Sequence, residues 1–146
     1  MRYYLVFTIA VFALSSTGVQ ARDTKHYFSI KEAMNSPDYH AKLDSDVLLF
    51  CGTSPQPNPD KRLGEYVTNK KTHAFGKSDK EACEWVLLSA LLSLQKRAIA
   101  EGGNAVVNIR SYYKKNKYSS ATQYECHAGA FVAGVALKGE VVRLPK

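Results

Sequence analysis

The chain has 146 residues, of which 45% are hydrophobic and 23% are charged, and its formal net charge is +7. This length accommodates one domain with one core, and the apolar content excludes an intrinsically disordered chain. Its three cysteines are too few for a small scaffold that disulfides hold together. Composition therefore predicts a single, basic, globular domain.

Residues 1–21 are typical of a secretory signal peptide. Arg2 supplies a positive charge, Leu5–Leu14 is an apolar run, and a small-x-small pattern predicts cleavage after Ala21. The apolar run is shorter than the roughly 20 residues that a membrane-spanning helix needs. Removing this segment removes one arginine and no acid, so the net charge falls by one, to +6. We therefore expect a periplasmic or secreted domain over residues 22–146 that does not span the membrane.

The first half of this domain predicts helical turns and short strands. Residues 22–46 are polar, and Pro37 interrupts them, so we expect an irregular segment with short helical stretches. An apolar run and a later alternating segment predict strands on either side of a proline-rich loop. The predicted elements are helical turns at Ser29–Asn35 and Pro37–Leu43 and strands at Val47–Cys51 and Gly64–Phe75.

A helix over Asp79–Glu101 is the clearest element of the sequence. Ser78 and Glu81 form a capping box, and apolar residues then recur at spacings of three and four as far as Ala98. A glycine pair ends the helix. At 1.5 Å per residue, the helix would be about 34 Å long, enough to cross one face of a sheet.

The remaining segments predict strands, which together with the helix define the fold class. We expect an α+β fold, in which one long helix packs on a mostly antiparallel β-sheet in a single two-layer domain. The lysines at 114–117 form the tip of a hairpin, and glycines in the next strand indicate a bulge or a close backbone contact. The predicted strands are Asn104–Tyr113, Ser119–His127, Ala128–Leu137 and Val141–Leu144.

The three cysteines allow three single disulfide pairings, and their spacing does not choose among them. We favour Cys83–Cys126, because this bridge would join the first turn of the helix to the returning strand of the hairpin. It would be worth roughly 4 kcal/mol by the chain-entropy estimate. Cys51 would then be a buried free thiol. The alternative for Cys83 is a reactive thiol at a helix N-terminus.

The sequence carries no signature of catalysis or metal binding. It has no phosphate loop, no nucleophile elbow and no dinucleotide-binding glycine pattern. Its histidines lack the spacing of metal ligands. We therefore expect a protein that is not an enzyme, with no catalytic residues, no metal site and no cofactor. An enzyme whose site assembles without local motifs is the alternative.

A basic and aromatic hairpin is the candidate binding surface. Cations interleaved with aromatic rings suit anionic polymers, and for an exported protein an envelope polyanion is a better partner than nucleic acid. The alternative is a solvated hairpin whose tyrosines pack across the strands. The candidate binding residues are Arg110, Tyr112, Tyr113, Lys114, Lys115, Lys117 and Tyr118, and a second basic group comprises Lys70, Lys71, His73, Lys77 and Lys80.

Five segments of the chain together match a pattern known from other proteins. These segments are Lys77–Trp85, Leu94–Ala98, Gly102–Ile109, Tyr124–Cys126 and Gly134–Gly139. They resemble a group of small exported bacterial proteins that commonly carry the label "excinuclease ATPase subunit", although the phosphate loops that such an ATPase needs do not occur in this chain. More distantly, a helix followed by G-x-N-A-V-V and a strand is similar to the YbjQ-like domain and the RcsF envelope-stress sensor. The resemblance implies a helix packed on a small sheet and an envelope location.

These observations favour a soluble, periplasmic, non-enzymatic protein that binds an envelope polyanion or an envelope protein and is not a true excinuclease. The resemblance implies an alternative, a ligand- or metal-sensing module similar to the YbjQ-like domain and the RcsF sensor. Such a module could be oligomeric through the small apolar strand Ala128–Leu137.

Overall fold

The computed structural model describes residues 21–146, and the predicted signal peptide, up to residue 20, lies outside the described residues. Within residues 21–146 the chain forms three helices and seven strands. The helices are α1 (Ile30–Met34), α2 (Pro37–Lys42) and α3 (Asp79–Ala100). The strands are β1 (Thr24–Ser29), β2 (Leu48–Cys51), β3 (Lys61–His73), β4 (Ala105–Tyr113), β5 (Asn116–Tyr118), β6 (Gln123–Ala128) and β7 (Val132–Arg143).

All seven of these strands belong to one sheet, and β7 lies at its centre. Along one side of β7, β3 pairs antiparallel over the full length of the strand. The other side is shared, because β6 pairs with the beginning of β7 and β4 pairs with its second half. β1 extends the sheet beyond β6, whereas β2 runs parallel to β4 and β5 forms a hairpin with it. The predicted α+β class is confirmed, with more strand than helix.

Helix α3 begins as its capping box predicts. The Ser78 hydroxyl accepts a hydrogen bond from the Glu81 N–H at 3.1 Å, and the helix ends at Ala100, one residue before the predicted end. Its apolar side packs on the sheet, where Leu91 and Leu94 are fully buried. The helix contacts the centre of the sheet, because a Cβ at Gly139 of β7 would lie 3.6 Å from a methyl carbon of Leu94. Within residues 21–146, no helix is both long and apolar enough to cross a membrane.

The strand boundaries differ from the predicted ones where hydrogen bonds redirect the chain. The predicted strand Ser119–His127 begins later, as β6 at Gln123, because the Ser120 hydroxyl accepts the N–H groups of Thr122 and Gln123 and turns the backbone. The strand that returns from the hairpin tip is the short β5, which ends at Tyr118. Conversely, Ala128–Leu137 and Val141–Leu144 are not two strands. They contribute to the single strand β7, because β3 pairs with it continuously through Gly139.

β1 is not among the predicted elements of the polar segment 22–46. It pairs antiparallel with β6 over six residues, from Thr24 opposite Ala128 to Ser29 opposite Gln123. Lys25 and Tyr27 are exposed, and the other four residues of β1 are half-buried. The two short helices that follow agree with the predicted helical turns, and Pro37 begins α2.

Candidate functional site

The predicted disulfide is present. Cys83 in the first turns of α3 is bonded to Cys126 of β6, and both residues are fully buried. Cys51, at the end of β2, is a free cysteine whose thiol is largely enclosed. Burial raises the pKa of this thiol to about 11, so it is protonated and unreactive at neutral pH. The bridge therefore acts as a structural link between the helix and the sheet.

A second link joins the N-terminal segment to the start of α3. Both guanidinium Nη atoms of Arg22 donate to the Asp79 carboxylate, at 2.8 and 3.0 Å, and His26 Nε2 lies 2.8 Å from the same carboxylate. The hydrogen bonds from Arg22 and then from His26 lower the pKa of Asp79 to about 2. Asp79 is also the first residue of α3, where a negative charge favours the helix dipole. These contacts hold the N-terminal segment in place against the start of α3.

The tip of the β4–β5 hairpin is a two-residue turn made of lysines. Tyr113 pairs with Asn116, and the residues between them, Lys114 and Lys115, have φ angles of 49° and 63°. Such turns prefer Asn-Gly, because side chains other than Asn and Gly are strained at positive φ. The cost is roughly 1 kcal/mol or more for each residue. Both lysines, and Lys117 after them, are exposed to solvent.

Arg110 does not contribute to an exposed surface, unlike the sequence-based expectation. Its side chain is buried and lies 3.3 Å from a carboxylate oxygen of Glu65, and it also donates to the Asn108 carbonyl at 2.9 Å. Glu65 binds Lys138 as well, at 3.1 Å, and this hydrogen bond lowers the pKa of the Glu65 carboxyl. The bulge at positions 107–110 of β4 places Arg110 against this partner. Its charge is thus neutralised within the fold.

Two tyrosines of the predicted binding surface, Tyr112 and Tyr118, also have structural partners. The Lys138 ammonium lies 4.9 Å from the centroid of the Tyr112 ring. Tyr118 packs on Tyr27 of β1, with ring centroids 4.5 Å apart, and its hydroxyl is 3.2 Å from Gln123 Oε1. These contacts are the cross-strand packing that was the alternative for the hairpin. The charged tip and Tyr113 remain as candidates for binding.

A groove brings lysines from two distant parts of the chain together. One depression of about 370 Å³ is lined by residues of β3, β7 and the hairpin, including Lys70, Lys71 and Lys114. A second depression, of about 180 Å³, shares Lys71, Tyr113 and Gly134 with the first. We call the two together the Tyr113 groove. Its lining residues are Arg22, Asp23, Asn69, Lys70, Lys71, Tyr113, Lys114, His127, Gly129, Val132, Gly134 and Val135.

The floor of the Tyr113 groove follows from strand register. Lys71, Gly134 and His127 form one row across β3, β7 and β6. Because the central residue has no side chain, the row leaves a gap between the lysine and the imidazole. A Cβ at Gly134 would meet its nearest atom at 3.6 Å, so there is space above the backbone. The groove exists because a glycine occupies the middle strand.

One wall of the groove is a fixed aromatic pair. Tyr113 stacks on His127, with ring centroids 3.5 Å apart. His127 Nε2 lies 2.6 Å from the buried carboxylate of Glu125, and Nδ1 lies 3.3 Å from Asp23. Burial, followed by the charge of Asp23, raises the pKa of the Tyr113 hydroxyl. The imidazole is thus oriented at both nitrogens. Sequence reasoning missed this wall, because Asp23 and His127 meet only through the pairing of β1 with β6.

In the part of the chain that the structure describes, the lysines of the groove, unlike Arg22, form no ion pair. Within the described range 21–146, Lys70, Lys71 and Lys114 take part in no ion pair. Other members of the second basic group lie elsewhere, since Lys80 pairs with Glu32 at 2.7 Å and Lys77 donates to the His73 carbonyl. The structure therefore combines part of each predicted basic group.

Comparison of the chain with protein-family models, with curated proteins and with solved structures gave no match. The resemblance to the small exported proteins and to the YbjQ-like domain thus stays an expectation from sequence. Among residues 21–146, no cluster of three or more His, Cys, Asp or Glu side chains is arranged to hold a metal ion. Of the segment Ala128–Leu137, which was expected as an oligomer contact, residues 133–137 are buried in the centre of the sheet and residues 130–132 are exposed. The Tyr113 groove is therefore the candidate functional site.

Proposed function

We propose that this protein is an exported, non-enzymatic binding protein whose Tyr113 groove holds an anionic group of a cell-envelope component. The observation that carries the proposal is that one groove is lined by Lys71 of β3 and by Lys114 of the hairpin tip, with Tyr113 as its wall. Ammonium groups that form no ion pair retain their attraction for phosphate or carboxylate groups. The Lys114 ammonium lies 5.4 Å from the centroid of the Tyr113 ring, beside the wall of the groove. A stacked aromatic ring adds a flat, rigid contact for a sugar or a phosphate-bearing group.

The turn at Lys114 and Lys115 supports this proposal independently. Both lysines occupy a backbone conformation in which Asn and Gly would be more stable. Local strain of this kind is concentrated at functional sites, where the side chain matters more than the conformational cost. The ammonium groups at the tip therefore serve a role outside the fold, and binding of an anion is the role that their charge suits.

Export is the second part of the proposal. The signal-peptide pattern of residues 1–21 supports it, and so does the Cys83–Cys126 bridge, because disulfides form and persist in oxidising compartments. The anions available there are those of the envelope, namely phosphorylated or acidic glycans and lipids. An envelope polyanion is accordingly the ligand class that we propose, rather than nucleic acid.

The test is a binding measurement with matched charge changes. The protein purified after export is titrated with lipopolysaccharide and with heparin at several salt concentrations, as wild type and as the variant Lys71→Ser/Lys114→Ser. We expect at least about a tenfold loss of affinity and a shallower salt dependence in the variant. The control is Lys61→Ser/Lys96→Ser, which removes two exposed lysines outside the groove. Equal losses in both variants would show non-specific attraction and would overturn the proposal.

A further inference from the structure

Two phenylalanines form an exposed apolar tip beside the Tyr113 groove. Phe75, in the loop between β3 and α3, is 67% exposed, and Phe131, in the turn between β6 and β7, is 65% exposed. Their rings stack with centroids 5.8 Å apart and planes inclined by 10°. Val132, which follows Phe131, is 49% exposed. Apolar side chains displayed together to this extent mark an interaction site rather than ordinary surface.

The backbone holds this tip in place. The Ala74 N–H donates to the Phe131 carbonyl at 2.8 Å and so joins the two loops. The Gly129 N–H donates to the Val132 carbonyl, also at 2.8 Å, and closes the β6–β7 turn. The Phe75 N–H donates to Nδ1 of His73 at 3.1 Å. Because the loops are fixed, the rings are presented to solvent without the option of folding back onto the core.

The apolar tip is continuous with the cationic groove. Val132 and Gly129, which belong to the same turn as Phe131, line the Tyr113 groove together with Lys71 and His127. Lys77 lies in the same loop as Phe75, is exposed, and donates to the His73 carbonyl. Apolar rings that project between cations match the surface of an anionic bilayer, where hydrocarbon begins just beneath negatively charged headgroups.

Charge distinguishes a lipid surface from a second copy of the chain. If two copies associated tip to tip, Lys77 and the groove lysines of both would be brought together and would repel. A membrane supplies the opposite charge around the same apolar contact. It also needs no complementary shape, which suits a tip formed by only two rings and a valine.

We propose that the protein docks on anionic membranes, with Phe75 and Phe131 inserted among the acyl chains and the Tyr113 groove holding the phosphate of a lipid headgroup. This inference rests on the proposed function, since it identifies the anion of the groove as part of a lipid. The ligand is then recognised twice, by its charge in the groove and by its hydrocarbon at the tip.

The experiment compares vesicles with a soluble polyanion. Co-sedimentation of the exported protein is measured with phosphatidylglycerol–phosphatidylcholine vesicles and with phosphatidylcholine vesicles alone, and binding to inorganic polyphosphate is measured in parallel. The variant Phe75→Ser/Phe131→Ser should lose vesicle binding about tenfold or more, because the burial of two rings is lost, and should keep its affinity for polyphosphate. The variant Lys71→Ser/Lys114→Ser should lose both.

The matched control is Leu48→Ser/Ile99→Ser, which removes two similarly exposed apolar side chains far from the tip in sequence and should leave both affinities unchanged. Thermal unfolding of each variant verifies that it is folded. Wild-type vesicle binding by Phe75→Ser/Phe131→Ser would overturn the membrane proposal and leave the proposed function intact. If wild-type protein does not bind polyphosphate, or if Lys71→Ser/Lys114→Ser binds it unchanged, the groove itself is not an anion site and both proposals fail.

Discussion

Tyr113 and His127 stack almost face to face, with their ring planes inclined by 11°. The imidazole cannot rotate away from the tyrosine, because Asp23 and Glu125 contact its two nitrogens. β4, β6 and the residues before β1 thus contribute to one wall of the groove. The stacking therefore fixes the orientation of the Tyr113 ring beside the exposed lysines.

Replacement of Tyr113 tests this wall. In Tyr113→Leu the stacking is lost, and we expect the free energy of unfolding to fall by about 1 kcal/mol, the worth of an aromatic pair. We also expect the affinity for lipopolysaccharide to fall severalfold, because the ring lines the groove. Urea unfolding and titration measure the two effects. Tyr112→Leu is the control, since Tyr112 contacts Lys138 rather than the groove, and equal loss of affinity there would contradict the assignment.

The lysine turn predicts opposite effects on stability and binding. Lys114→Asn/Lys115→Gly relieves the strain at two positive φ angles, so we expect the free energy of unfolding to rise by about 1–2 kcal/mol. Affinity for polyphosphate should fall in the same variant, because two cations are removed. Denaturant unfolding and binding are measured on one preparation.

Lys114→Ala/Lys115→Ala separates charge from strain. This variant removes the same two charges, but alanine, like lysine, is disfavoured at positive φ. We therefore expect weaker binding without the gain in stability. If Lys114→Asn/Lys115→Gly did not raise the free energy of unfolding, the two lysines would not be strained. Binding would then not be needed to account for lysines at these two positions.

The disulfide is expected to contribute a large part of the stability. Cys83 and Cys126 are 43 positions apart, and opening a loop of this length costs about 4 kcal/mol in the chain-entropy estimate. We expect Cys83→Ala/Cys126→Ala to lose this amount in urea unfolding. Alkylation of the unreduced, unfolded protein followed by mass spectrometry should label one thiol, that of Cys51. Labelling of Cys83 or Cys126 instead would contradict the pairing.

Asp79 predicts a dependence of stability on acid. Arg22, with His26, lowers its pKa from an ordinary value of 3.8 to about 2 in the folded protein. A group with a depressed folded pKa stabilises fully above its unfolded pKa, and this contribution is lost as the pH falls from about 4 to about 2. Because Arg22 is exposed, we expect only about 1 kcal/mol after solvent screening.

The comparison of wild type with Asp79→Asn isolates this contribution from that of the other acids. The difference between their free energies of unfolding should shrink as the pH falls through that window. Urea unfolding at a series of pH values measures it. A difference that does not change with pH would show that the contacts of Asp79 with Arg22 and His26 do not depend on its charge.

Local signals predicted some parts of the fold well. The bounds of α3 follow from the Ser78 cap and the apolar spacing, because helix hydrogen bonds join residues close in sequence. The pairing of Cys83 with Cys126 followed from placing one cysteine on the helix and the other on a strand that it covers. β1 was not predictable in the same way, since its polar residues form a strand only through their partner β6.

The candidate site, like the fold, could be predicted from sequence only in its local features. The sequence predicted that the hairpin lysines are exposed and cationic, because charge and turn position are local properties. It also included Arg110, which the fold buries against Glu65, and it left His127 out. Both outcomes depend on contacts between residues far apart in the chain, and no local pattern encodes them.

The sequence by itself thus determined a basic domain of one class, one well-bounded helix, a disulfide and a cationic hairpin. Only the tertiary structure decided which of the cations lie close together. Strand register placed Lys71, Gly134 and His127 in one row, and loop contacts placed Phe75 against Phe131. The physical reason is that helix capping and apolar spacing act within a few residues, whereas sheet register and neutralisation of charge are settled between segments that meet only on folding.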